Sequence, residues 1–183
     1  GITKIAATNL MLTKQGPLFL SDTTININPT AKDLVKISQM TENFIKMFGM
    51  KANMAMVSFS NFGSSSSESS KKISEAVSYL HRNFPDTVVD GELQANFAVN
   101  KELRNDFFPF SLLSGQNTNT LIFPNLSAGN IAYKLVKEMS NQETIGPILL
   151  GMKKPVHVLQ IGSSVREILN MITLGVVDVQ NRK

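Results

Sequence analysis

Hydrophobic and polar positions alternate, cluster and recur along this chain in two periods, and the switches between them mark out the elements. Residues 5–28 read as strand-rich. Leu10-Met11-Leu12 and Leu18-Phe19-Leu20 flank Lys14-Gln15-Gly16-Pro17, which predicts a hairpin, and alternation carries on through residues 23–28. Pro29 stops the strand, and Thr30 with Asp33 has the spacing of a capping box. The helix that follows carries Leu34, Ile37, Thr41, Phe44, Ile45 and Phe48 at 3.6-residue rhythm and ends at Gly49. Residues 53–59 run as a buried strand does. Ser65 and Glu68 predict a second capping box, with Ile73, Val77 and Leu80 facing inward from the helix behind it.

Residues 87–89 predict a short strand, with 90–94 entering a helical segment and 101–118 irregular around Pro109 and Gly115. The centre of the pattern lies at 120–151. There an apolar run ends at Pro124, and an Asn/Gly-rich loop and an amphipathic helix (Ile131, Leu135, Met139) lead to a second apolar strand at 145–150. This reads as a βαβ unit, with ligands expected outside the carboxyl ends of its strands. Residues 155–159 predict a last strand. Ser164 and Glu167 predict a third capping box, opening a helix with Val165, Ile168, Leu169, Ile172, Val176 and Val179 turned inward. Strands alternating with helices through short polar loops predict an α/β fold, a Rossmann-like sheet, largely parallel, layered with helices.

Composition narrows this picture only in places. With 183 residues, 42% of them hydrophobic, the chain can form one ordinary core or two small lobes. Charged residues are 17%, low enough to leave room for buried interfaces. The net charge of +4 mildly suits an anionic ligand, but the basic residues are scattered, so no nucleic-acid partner is expected. No cysteine is present, which removes disulfides, thiolate nucleophiles and zinc–sulfur sites together. The apolar runs are too short for a membrane span, and a cytoplasmic location is expected. A start at Gly1 rather than Met points to a processed or engineered end, hence to a piece of something longer.

The chemistry-bearing residues sit in the loops. Asn61, Gly63 and Ser64 lie in SFSNFGSSSS between a strand and a helix start, where free N–H groups favour an anion; serines are equally ordinary caps and turn formers. Asp90, Glu92 and Gln94 follow a strand, in reach of a crevice as a general base or as local helix caps. Asn125, Gly129 and Asn130, with Lys134 adding charge, are the other candidate ligand wall, and the two asparagines serve turns as readily. His81 and His157 have no partner at metal-ligand spacing, so no metal site is expected.

Set side by side, SFSNFGS, VVDGELQ, LIFPNLSAGNIAYK and IGPILLG resemble the C-terminal half of phosphate acetyltransferases, which move an acetyl group between CoA and phosphate. The resemblance covers nearly the whole chain. It implies an isocitrate/isopropylmalate-dehydrogenase-like fold of two lobes around a cleft, residues 1–152 in the second lobe and 153–183 crossing back to the first, and a homodimer. In the final loop transacetylases carry Ser-Arg-Gly-Cys-Ser with an Asp beyond; the matching positions here are Gln160, Ile161 and, for the carboxylate, Glu167. An isoleucine supplies no positive charge to an oxyanion, and losing one such donor costs about 10²–10³ in rate. This variant resembles the transacetylase-like C-terminal domain of bacterial NADP-dependent malic enzymes. That likeness implies an acetyl-CoA effector (or another acyl-CoA or acyl phosphate) held in the cleft, with Gln160 beside it, and no catalytic residue in this segment. It places NADP and a divalent metal in a separate catalytic part and implies a higher homo-oligomer for the parent enzyme. The other functions in view are a working acetyltransferase and a purely oligomerising domain.

Overall fold

The computed structural model describes residues 4–140 and 142–181. A six-stranded sheet runs through it in the order β4-β3-β5-β2-β1-β6. Its strands are β1 (Ala6–Thr13), β2 (Gly16–Ser21), β3 (Asn53–Ser58), β4 (Val88–Gln94), β5 (Thr120–Ile122) and β6 (Glu143–Leu150). The helices are α1 (Ala31–Lys46), α2 (Glu68–Asn83), α3 (Ala95–Val99), α4 (Lys101–Phe107), α5 (Leu126–Ser140) and α6 (Val165–Asn181). β3 pairs in parallel with β4 and β5, and β5 with β2, whereas β1 is antiparallel to both β2 and β6. The sheet is therefore mixed. β5 and β6 point the same way, but β2 and β1 lie between them, so the expected βαβ unit is an open crossover rather than an adjacent pair.

Alternation along the strands divides the core between two faces. Phe19, Met54, Met56 and Ile122 pack with Leu34, Ile37 and Ile45 of α1, Ile73 and Leu80 of α2, and Met171 and Leu174 of α6. Their neighbours Leu20, Ala55, Val57 and Leu121 pack with Ala98, Leu113 and Tyr133 on the other face. The hairpin forms as read, with Gly16 at φ 115°, a conformation L side chains rarely adopt. The Thr30/Asp33 box caps α1 with both reciprocal bonds in place.

Several segments fold otherwise than their pattern predicts. Residues 23–28 leave the sheet because the Asp22 carboxylate draws in the N–H groups of Thr24, Ile25 and Asn26, and that turn wins over extension. Ser67, not Ser65, caps α2, its Oγ accepting from the Ser70 N–H. Residues 90–94 belong to β4, which bulges where the register slips between Met56 and Val57; Gly91, at φ 143°, sits against Met56 O where a Cβ would clash. The stretch read as irregular contains α4, capped by Asn100. Residues 155–159 form no strand, since nothing among the described residues offers them a ladder. On α6 the residues turned inward are Met171, Leu174 and Asp178. Val165, Leu169, Ile172, Val176 and Val179 are exposed, contrary to the inward face read for them.

Candidate functional site

The loop after β3 is tied down almost atom by atom. Glu92 is completely buried; its Oε1 accepts from the Gly63 N–H (2.7 Å) and Ser60 Oγ (3.2 Å), and its Oε2 from Ser74 Oγ (2.6 Å). The Phe62 N–H donates to the Glu92 carbonyl (2.8 Å), and Phe62 itself sits at φ 43°. Asn61 accepts from the Gln94 N–H (2.8 Å) and donates its own N–H to Ser64 Oγ (2.9 Å), while Gln94 Nε2 reaches the Phe59 carbonyl (2.9 Å). Asp90 accepts from Ser111 Oγ (2.7 Å) and the Leu112 N–H (2.8 Å). Thus Asn61, Gly63, Ser64, Asp90, Glu92 and Gln94 all hold the loops to one another. The N–H groups of residues 61–64 are all engaged, those of Phe62 and Gly63 by Glu92 and those of Asn61 and Ser64 within the turn, so none of the four is left to cradle an anion.

The second wall is fixed in the same manner. Asn125 Oδ1 accepts from the Ala128 N–H (2.9 Å) at the start of α5, and Asn130 Nδ2 donates to the Thr23 carbonyl (3.1 Å). Gly129 lets α5 lie against the backbone of Asp22, where a Cβ would stand 2.3 Å from the carbonyl oxygen. Lys134 is exposed on the outer side of α5. Gln160 borders a slot of about 10 Å³ beside Lys137 and Glu167, too small for a ligand. Ile161 is fully exposed. Arg166, the basic residue nearest in sequence, is in an ion pair with Glu143 (2.7 Å).

Beside the second wall, between the starts of α2 and α5, lies a cavity of about 460 Å³. Its lining comes from Ile27 and Asn28, the first turns of α2 (Glu68, Ser69, Lys72) and α5 (Ser127), and Asn125. Lys72 Nζ donates to Asn28 Oδ1 and to the Pro124 carbonyl, each at 3.0 Å. Burial lowers the Lys72 pKa below that of an ordinary lysine, against the opposing pull of Glu68. The hydroxyls of Ser69 and Ser127 and a desolvated ammonium can receive an anionic or carbonyl-bearing group, with Glu68 limiting how much negative charge fits. Of the residues picked from the sequence only Asn125 lines this cavity. Lys72 was missed, although its position one turn after Glu68 sets it on the face of the helix start.

A mixed α/β sheet whose strand ends open on a crevice between two helix starts has the layout in which α/β folds place their ligands. The family description Phosphate acetyl/butaryl transferase matches residues 1–176, and the chain belongs to that family. It is 40% identical over 180 residues to the NADP-dependent malic enzyme of Haemophilus influenzae, covering 98% of this chain and 24% of that protein. It is 38% identical over 168 residues to the phosphate acetyltransferase of Clostridium acetobutylicum, covering 91% of this chain and 50% of that one. Among solved structures, a phosphotransacetylase from Streptococcus pyogenes superposes with a TM-score of 0.91 at 34% identity, over 99% of this chain and 55% of that chain. The chain thus matches the transacetylase-like part of malic enzymes, spanning about a quarter of their length and about half of a transacetylase. Among the described residues no helix is long and apolar enough to cross a membrane, and no cluster of His, Asp and Glu could hold a metal.

Proposed function

We propose that this chain is a regulatory, transacetylase-like domain of a malic enzyme, binding acetyl-CoA or a related acyl-CoA or acyl phosphate without transferring the acetyl group. The observation that carries this reading is the bare Ile161. It stands where the family resemblance calls for a guanidinium, and Arg166 is engaged with Glu143 instead. The cavity beside Lys72 offers a place for the ligand's phosphate or thioester end, because the groups that hold a ligand differ from those that stabilise a transition state. Residues 153–183 cross to the other lobe of the cleft, which accounts for the exposed apolar stripe on α6. In the parent enzyme, NADP and a divalent metal serve malate decarboxylation elsewhere. Acetyl-CoA then shifts that activity by favouring one state of the assembly, with a coupling of about 1–3 kcal/mol.

Calorimetric titration with acetyl-CoA and with acetyl phosphate, alongside a thioester-formation assay, tests the reading. Binding without turnover is expected, with Lys72→Met weakening it about 10-fold. Turnover well above a blank would make the domain a working acetyltransferase, and silence in the calorimeter at millimolar ligand defeats both readings.

A further inference from the structure

We propose that the groove between α1 and α2 is a ligand site apart from the cavity beside Lys72, and that it takes a nucleoside phosphate group. The two helices lie side by side on one face of the sheet, sharing a core of Leu34, Ile37, Ile73 and Leu80. On α1, Lys32, Val35, Lys36 and Gln39 fall at helical spacing along one side, and on α2 Glu75, Tyr79 and Arg82 do the same. Where these sides meet, Ala31 and Ala76 are too small to close the gap, and a hollow of about 510 Å³ is left. That is an ordinary size for a small-molecule site, and its make-up, an apolar floor with a few polar groups above it, is ordinary too. The floor is formed by Val35 and Ala76, 5% and 0% exposed.

The walls set the ligand's chemistry. Tyr79 and Phe84 stand 47% and 37% exposed with ring centroids 6.4 Å apart, which offers a flat ring an aromatic face to stack on. Lys32, Lys36 and Arg82 outnumber the one carboxylate, Glu75, so the rim attracts an anion. Among the described residues Lys32, Arg82 and Glu75 are in no ion pair. The Arg82 guanidinium, three residues beyond Tyr79, suits a phosphate, and the Gln39 amide can both donate to and accept from a sugar hydroxyl. A bare phosphate would leave the rings unused and a bare apolar chain the cations; ring, sugar and phosphate together use both. The groove shares no lining residue with the cavity beside Lys72. A third hollow joins the two, sharing Glu68 and Lys72 with that cavity and Ala31 and Glu75 with the groove. The nucleoside phosphate is therefore a free nucleotide or the adenosine end of the acyl-CoA proposed above.

Equilibrium dialysis of the 183-residue chain against labelled ADP reads the site. ADP should be retained, and adenosine or ribose 5-phosphate alone should bind at least about 10-fold more weakly. Tyr79→Ala and Arg82→Glu should each weaken ADP about 10-fold. Both side chains are exposed, so the fold is not at stake. Lys72→Met, in the other cavity, should leave ADP binding unchanged. Acetyl-CoA that displaces ADP, and is itself weakened by Tyr79→Ala, makes the adenosine end of acyl-CoA the occupant; acetyl-CoA that binds beside ADP makes it a free nucleotide. Failure of acetyl-CoA to bind while ADP is retained sinks the acyl-CoA reading and leaves this one standing. No retention of ADP at millimolar concentration overturns the proposal, as does ADP binding that both Tyr79→Ala and Arg82→Glu leave untouched or that Lys72→Met abolishes.

Discussion

Helices α1 and α6 are built to nearly the same recipe and meet opposite fates. Each opens with a hydroxyl–carboxylate box, Thr30 with Asp33 and Ser164 with Glu167. Each carries an apolar row along one side. On α1 that row (Leu34, Ile37, Phe44, Ile45) is buried against the sheet. On α6 the row Val165, Leu169, Ile172, Val176, Val179 stands at least half exposed, while a second line, Met171, Leu174 and Asp178, makes the contact. Asp178 also meets His157 (3.5 Å), pinning the segment that leads into the helix. Periodicity tells that a helix has an apolar side; what covers that side depends on the surface available to it. α1 has a sheet beneath it, and α6 overhangs the sheet edge.

The largest test of this contrast is a matched pair of truncations. Ile37 is fully buried and Ile172 is 57% exposed. Ile37→Ala should cost about 2–5 kcal/mol through lost burial and the cavity left behind. Ile172→Ala should stay within about 0.5 kcal/mol, the range of a surface change. Denaturant melts of both variants decide it. Equal losses would mean that the stripe of α6 is covered after all in solution.

A smaller difference is expected at the caps. Thr30→Ala should lower global stability by about 1 kcal/mol, since α1 unfolds with the core. Ser164→Ala removes the same type of bond from a helix whose first turns bear on little, so its cost should appear as faster amide exchange over residues 165–169 with the melt barely moved. A global loss equal to that of Thr30→Ala would show α6 to be part of the cooperative unit.

The pattern of success in reading the sequence follows the same line. Features set by near neighbours were legible: the hairpin at Gly16, the boxes at Thr30 and Ser164, the inner face of α2 and that of α1 from Leu34 to Ile45, although α1 stops at Lys46 and Phe48, read with that face, is exposed. Features set by distant partners were not. Glu92 looks like a surface acid in VVDGELQ, yet it is buried by serines and an amide 18 to 32 residues away. Arg104, in a stretch without periodicity, has no exposed surface and gives its guanidinium hydrogens to the carbonyls of Phe97, Ala98, Leu113 and Gln116. Only a fold can gather those four oxygens, and no local rule marks the arginine that will meet them. Family likeness supplied the ligand walls, but whether a loop's polar groups face a ligand or each other is decided by those long-range bonds. Lys72 is legible only once two helix starts are known to converge.

The least effect is expected from acid, and it separates the two helices most finely. Burial pushes the Asp33 carboxyl up, but the Thr30 N–H, the Thr30 hydroxyl and the Lys4 ammonium (3.1 Å) together outweigh it and hold it below the usual aspartate value. Glu167 is lowered chiefly by the Ser164 N–H and then its hydroxyl, against a slight opposing effect of burial, with Lys137 (3.5 Å) adding less. A carboxyl depressed in the folded state stabilises fully above its unfolded pKa of about 4 and loses that contribution as pH falls through the folded value. Both carboxyl resonances should therefore titrate at lower pH than in the unfolded chain. Lys4→Met should move Asp33 back upward, and Lys137→Met should move Glu167 by less. The consequences should then part: protonating Asp33 shifts the melt of the whole chain, whereas protonating Glu167 frays only the first turn of α6. A melt that follows the Glu167 titration as closely as that of Asp33 would mean that α6 is held to the core by more than Met171, Leu174 and Asp178, and the contrast between the helices would fail.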